Sequence, residues 1–288
     1  MLGLLLLLQV LASCLWLGHN EVVHNFINPC VRFFYAQTPP RGGIRPTNAA
    51  RICQVYQNQY RFVTLYDRTN RIPVYSAYIY QPGPGNRYNS WFVEPQLINQ
   101  KYRKDMDEEI AIIQQYKINS TVIAQSQAID KDYSGAPGLD RGHLCPSGHQ
   151  TGIDKTATFT LTNIVPQYMG LNQGAWHDYE EITMRDKTRG CDTTYVITGA
   201  VPGNRSISNG RVNIPSHIWS AACCLNRRKP IKAWAAIAEN QIERNHVRNL
   251  DLGELENSCH GQSSKSPALC QLGCTEIQEK IVLWRRTE

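Results

Sequence analysis

Asp140-Arg141-Gly142-His143 is followed at positions 171–176 by Leu171-Asn172-Gln173-Gly174-Ala175-Trp176, with Glu180 beyond. On a strand, Arg141 and His143 face the same side, and Gly142 removes bulk between them. Asp140 would then face away and reads as structural. A neutral imidazole near pH 7 accepts a proton from an attacking water. Arginine meets a phosphate with charge-assisted hydrogen bonds. Asn172 and Glu180 are eight residues apart, so on one helix they project the same way and can share a hydrated cation. Base, guanidinium and cation are the parts that phosphodiester hydrolysis needs. A strand, a second strand and a helix carry them.

Each residue also has a plainer reading. A lone histidine is most often a core histidine, and it is the neighbours of His143 that change the odds. Asn172 opens the expected helix, where asparagine is also a common N-cap. Glu180 reads either as a solvated surface charge or as a carboxylate holding a metal-bound water. Asn163 reads as a turn residue or as a tether for the histidine strand, and Trp176 as core packing. A rival zinc site would gather His143, His149, His177 and Cys145. No tight HxxH or CxxC pair supports it, and it ranks below magnesium.

Around this core, Tyr60 to Tyr66 and Ile72 to Tyr80 read as strands joined by Asp67-Arg68-Thr69-Asn70. Trp91 to Pro95 reads as a short strand or extended loop. Asp105, Asp107, Glu108 and Glu109 place negative charge before a helix containing Ile110, Ile112 and Ile113. Thr158 to Val165 alternates as a strand does, and Leu171 to about Arg185 reads as a helix. Thr193 to Ile197, Arg211 to Ile214, Ile218 to Cys223 and Ile231 to Ala238 read as further sheet, and Ile277 to Trp284 as a closing helix. No linker or composition shift divides the chain. The expected architecture is one α+β domain, mostly antiparallel, over residues 20–288.

Leu2 to Leu17 is an apolar run at the N-terminus, read as a secretory signal covering residues 1–19. The chain carries 30 Lys and Arg against 24 Asp and Glu, a net charge of +6. This mild excess suits polyanionic partners and lacks the dense basic runs of a chromatin protein. Cys30, Cys53, Cys145, Cys191, Cys223, Cys224, Cys259, Cys270 and Cys274 come after the leader, an odd number. Their scatter favours disulfides in an oxidising compartment. Cys145 is the candidate for the odd thiol. Asn119-Ser120-Thr121 and Asn204-Arg205-Ser206 are glycosylation acceptors that fit the same secreted, extracellular setting.

With these residues in hand, the chain resembles the DNA/RNA non-specific endonucleases of the ββα-metal superfamily. The likeness runs through Asp140 to Leu144 with Pro146, Thr162-Asn163-Ile164-Val165-Pro166-Gln167, and Leu171 to Trp176 with Glu180. Phe33-Phe34-Tyr35-Ala36, Arg71-Ile72-Pro73-Val74-Tyr75-Ser76-Ala77 and Val93-Glu94-Pro95-Gln96 extend it toward a vertebrate branch of that family. The resemblance implies an α+β fold with a ββα-metal core on a mostly antiparallel sheet. It implies a general base at His143, a Mg²⁺ ligand at Asn172 (with Mn²⁺ as substitute) and an outer-shell carboxylate at Glu180. Arg141 would stabilise the pentacoordinate phosphate and Asn163 would support the motif. The substrate would be DNA, with RNA as a second substrate, cut with little sequence preference to leave 5′-phosphates. The rival expectation is a catalytically weak extracellular protein that binds nucleic acid or another polyanion and has an immune-related role. Arg185 is the one candidate for a second active-site arginine.

Overall fold

The computed structural model describes residues 21–26, 30–40, 46–242 and 246–255. The leader over residues 1–19, the closing helix expected at Ile277 to Trp284, and Cys259, Cys270 and Cys274 lie outside them.

Fourteen strands run in chain order among the described residues. They are β1 (Val22–Val23), β2 (Ala49–Tyr56), β3 (Gln59–Asp67), β4 (Ile72–Ile79), β5 (Phe92–Val93), β6 (Asp107–Glu108) and β7 (Leu139–His143). Then come β8 (Ile164–Tyr168), β9 (Thr193–Val201), β10 (Arg205–Ile207), β11 (Val212–Ile214), β12 (His217–Asn226), β13 (Lys229–Glu239) and β14 (Val247–Leu250). Eight of them form one sheet in the order β1-β2-β3-β4-β9-β12-β13-β14, with every neighbouring pair antiparallel.

Side-chain alternation sends each sheet strand into two separate cores. On β12, Ile218, Ala222 and Cys224 enter one core, while Trp219, Ala221, Cys223 and Leu225 enter the other. That is why β12 reads as a continuous apolar run although its neighbours are antiparallel: both faces are covered. One face carries the motif-bearing layer, including Leu144, Ile164, Leu171 and Trp176. The other carries Phe26, Phe33 and Phe34 from the N-terminal segment, together with Leu252 and Leu255. The Cys30–Cys53 disulfide fastens that segment to β2, and Cys191–Cys224 fastens the start of β9 to β12. Gly199 sits opposite Trp219, whose ring would lie 2.2 Å from any Cβ added there. A side chain at 199 would force the indole out of the core.

A line of hydroxyls crosses the first face. Gln54 Nε2 donates to Thr64 Oγ1 at 3.1 Å, and Thr64 pairs with Ser76 at 3.0 Å. Ser76 Oγ in turn donates to Asn163 Oδ1 at 2.8 Å. Because the last link fixes Ser76 as donor, Thr64 must donate to Ser76, and the whole line runs in one direction.

The strands and the first acidic helix fall where the sequence suggests, with the helix at Glu109–Tyr116. Two expectations need correction. Thr158 to Val165 is not a strand: β8 begins at Ile164, after a 3-10 turn over Leu161–Asn163. The alternating threonines are buried because their hydroxyls are bound, Thr160 and Thr162 to Glu94 Oε1 and Thr158 to Lys155 O. Nor is 171–185 one helix. It divides into Met169–Asn172, Ala175–Asp178, a π-helical turn at Tyr179–Thr183, and Met184–Lys187. Gly174, with ψ −117°, makes the first break, and the π turn shifts the register of the residues beyond it.

Candidate active site

β7 and β8 pair antiparallel with His143 opposite Ile164 and Asp140 opposite Gln167. The helix Met169–Asn172 leaves the end of β8 directly, so the two strands and this helix bring 139–143 beside 172–173. Gly142 is needed for a reason beyond the one the sequence suggests. Gln167 passes over it, and an added Cβ would meet that side chain at 2.2 and 2.7 Å.

A polar cleft of about 380 Å³ opens at this junction, lined by Arg87, Trp91, Tyr133, Leu139, Asp140, Arg141, His143, Asn172 and Gln173. His143 and Asn172 thus share one cleft, although distant along the chain. The imidazole packs against Trp91 at 5.6 Å and edge-on to Phe159 at 4.9 Å. Its Nε2 is buried with no hydrogen-bond partner. Burial lowers its pKa to about 3, and the Arg87 cation adds to the shift, so the ring is neutral across the physiological range.

Arg141 lies where the strand alternation places it, on the cleft side with His143. It is not a free clamp. Its Nη2 pairs with Asp130 Oδ1 at 2.7 Å and also bonds Asp130 O, while its guanidinium lies over Trp91 and Tyr133 at 5.2 and 5.3 Å. Arg87 also lines the cleft, over the Phe159 ring at 5.4 Å. Sequence reasoning passed over it because it sits in a loop with no periodic pattern.

Asp140 does not face away. Its Oδ2 accepts from Asn172 Nδ2 and from Gln173 Nε2, both at 2.9 Å. The helix after β8 covers the face of β7 that alternation assigns to Asp140, so both faces of this short strand contribute. Asn172 closes its helix, whose N-cap is Tyr168, and the capping reading therefore falls. The bond to Asp140 turns the Asn172 amide nitrogen inward and frees its carbonyl oxygen for a ligand.

Glu180 is not among the residues lining this cleft, because the break at Gly174 removes the continuous helix that would have aligned it with Asn172. Burial pushes its carboxyl up to about 8; the Trp176 indole pulls the other way and Glu181 adds to the rise. Arg185 lies on the Met184–Lys187 helix, likewise outside the lining residues. His149 has both ring nitrogens engaged: Nε2 with Glu180 O at 3.0 Å, and Nδ1 with the Tyr78 hydroxyl at 2.8 Å. The carbonyl can only accept, so Nε2 carries the proton. That leaves His149 no lone pair for a metal.

Asn163 is fully buried and makes every bond its carboxamide allows. Oδ1 accepts from Ser76 Oγ and Cys145 N, and Nδ2 donates to Cys145 O and Thr158 O. It tethers the chain two residues beyond His143 and does not line the cleft. Cys145 is a free thiol with no exposure, so it cannot reach another chain.

Among the described residues no three His, Cys, Asp or Glu side chains converge as a metal cage. A cation in the cleft would therefore keep most of its water. One carboxamide oxygen held by a carboxylate, beside an unpartnered imidazole nitrogen, fits a hydrated hard cation better than zinc.

Comparison with known proteins agrees with this geometry. The family profile for DNA/RNA non-specific endonuclease matches residues 41–265. The mouse Endonuclease domain-containing 1 protein is 30% identical over 87% of this chain and 48% of its own length. The human protein of that name is 33% identical over 68% of this chain and 38% of its own. Human mitochondrial Endonuclease G is 33% identical over 47% of this chain and 44% of its own. The chain therefore spans less than half the length of these relatives. On the profile match, which covers most of the sequence, the chain belongs to the DNA/RNA non-specific endonuclease family.

Proposed function

We propose that this chain is a secreted, metal-dependent endonuclease that hydrolyses DNA, and RNA as a second substrate, with little sequence preference. The observation that carries the reading is the cleft shared by an unpartnered neutral imidazole, two arginines and a carboxamide fixed by Asp140. His143 takes the proton from a water attacking phosphorus. Arg87 and Arg141 face the phosphate oxygens, the latter preoriented by Asp130 and two aromatic rings. Asn172 would hold Mg²⁺, or Mn²⁺ in its place, and Asp140 orients the ligand oxygen. A bound divalent cation supplies neutralisation of the charge developing on the leaving 3′ oxygen. The phosphorus–O3′ bond breaks and the product keeps a 5′-phosphate. Contacts to backbone phosphates alone carry no base information.

In this reading Glu180 supports the cation through water only after its helix turn adjusts, and Asn163 is a positioning residue. One endonuclease domain occupies residues 20–288 behind a leader of residues 1–19. The two disulfides and the exposed acceptors Asn119 and Asn204 support an extracellular, glycosylated protein.

The test is nicking of plasmid DNA by the purified chain with Mg²⁺, Mn²⁺ or EDTA, with analysis of the new ends. Metal-dependent nicking with ligatable 5′-phosphates is expected; no nicking with either metal overturns the reading. A second reading, a polyanion-binding protein that cleaves slowly, draws on the Arg141–Asp130 pair, which withdraws a cation from the phosphate. It predicts salt-sensitive binding without scission.

Asp140→Ala removes the acceptor that orients Asn172. The metal concentration for half-maximal activity should rise about 10–100-fold, with the maximal rate largely retained. A metal titration with unchanged midpoint would show that Asn172 needs no such support.

A further inference from the structure

On the far side of the hydroxyl line lies a second group of oxygens that the nuclease reading does not use. Glu21, Gln54 and Glu94 are all completely buried. Both carboxylate oxygens of Glu21, Glu94 Oε2 and Gln54 Oε1 lack any hydrogen-bond partner. A buried carboxylate without a partner is costly, and charges this deep are neutralised by a counter-ion or by a proton.

The three side chains are neighbours. Gln54 Nε2 donates to Thr162 Oγ1 at 2.9 Å, and Thr162 Oγ1 donates to Glu94 Oε1 at 2.9 Å. Thr160 donates to the same Glu94 oxygen at 2.6 Å. Glu94 is the first neighbour that Glu21 feels, and burial together with that neighbour raises the Glu21 pKa well above the carboxylate range. The orientation of Gln54 is set by its amide nitrogen, which serves Thr64 and Thr162. Its carbonyl oxygen therefore turns away from both threonines. The backbone around Glu94 is held by Gln127, and the backbone of Glu21 by Gln96, so the carboxyl groups stay where they are. Among the described residues, no lysine or arginine bonds any of the four unpartnered oxygens.

We propose that Glu21, Glu94 and Gln54 bind a calcium ion that locks β1 and the Glu94 segment to β2. The donors are hard oxygens only, which disfavours zinc. Two carboxylates match the charge of one divalent cation. Calcium accepts irregular oxygen sets at 2.3–2.6 Å and sheds its water readily, whereas magnesium demands an octahedron and keeps its water, which a fully buried position does not supply. Gln54, an uncharged amide with an unpartnered oxygen, is what distinguishes this group from two acids that merely share a proton. The site is separate from the cleft, whose cation would be held by Asn172.

The experiment uses the full chain as wild type, Glu94→Gln, Glu21→Gln and Asn172→Ala, each dialysed against EDTA and then titrated with CaCl₂ or MgCl₂. Wild type and Asn172→Ala should bind one calcium per chain by elemental analysis. Their melting temperature should rise by about 5–10 °C at a calcium concentration about a hundred times the dissociation constant. Neither glutamate variant should show the rise. If those variants fail to fold, terbium luminescence of wild type and Asn172→Ala, displaced by calcium, gives the same answer. Absence of bound calcium, or a melting temperature indifferent to it, overturns the site and leaves a shared proton as the neutralising charge. Loss of the calcium effect in Asn172→Ala alone would assign the ion to the cleft and also overturns it. Failure of the nicking assay leaves this result untouched.

Discussion

His143→Ala should nick plasmid DNA about 10²–10⁴-fold more slowly than wild type at saturating metal, the range expected when a general base is lost. The comparison is made on protein whose circular dichroism matches wild type. A variant within about twofold of wild type would remove the imidazole from the mechanism. The pH dependence adds a second reading of the same residue. Because burial and Arg87 lower its pKa to about 3, the free enzyme should show no loss of kcat/KM attributable to His143 near pH 6.5. Its acid limb should lie well below that value. Folding obeys the same sign. The unfolded chain takes up this proton near 6.5 and the folded chain only near 3, so the stability gained from neutral His143 is complete above 6.5 and is lost as pH falls through that window. His149, lowered to about 4 by burial, acts in the same direction. Denaturant unfolding at pH 7.5 and 5.0 should show a decline that is smaller in His143→Ala.

Asn163→Leu should be the most damaging single change to the fold. It strands Cys145 N–H, Cys145 C=O, Thr158 C=O and the Ser76 hydroxyl, all inside the core. Each unpaired buried group costs roughly 1–3 kcal/mol, so a loss of about 4 kcal/mol or more is expected, a large part of the total stability of an ordinary domain. Asn163→Asp keeps the shape but aims oxygens at two carbonyls and should be nearly as harmful. Urea unfolding measures both, and a loss under about 1 kcal/mol would mean that the Cys145 loop is held by something else.

The catalytic motif was legible because its spacing carries geometry. Two residues apart on a strand put Arg141 and His143 on one cleft wall, and Asn172 arrives beside them because the helix continues from β8 without a loop. The alternating apolar strands β3, β4, β9, β12 and β13 were legible for the same reason. The features that the sequence concealed depend on tertiary contacts. Thr158, Thr160 and Thr162 imitate a strand, but their period comes from burying hydroxyls against Glu94 and Lys155. Asp140 has two faces to serve because a helix covers the second. Glu180 was aligned with Asn172 on an ideal helix, and Gly174 with the π turn removes that ideal. Arg87 enters the cleft from a loop whose path no local pattern encodes.

The single direction of the Gln54–Thr64–Ser76–Asn163 line has a consequence for how this enzyme family member can vary. Each hydroxyl has its proton already assigned by the next, so Asn163 cannot flip its amide without reversing three partners on three strands. The handedness of one carboxamide beside the imidazole is therefore inherited from the sheet floor. Drift at any rung would propagate as a change of proton order and not as a change of shape.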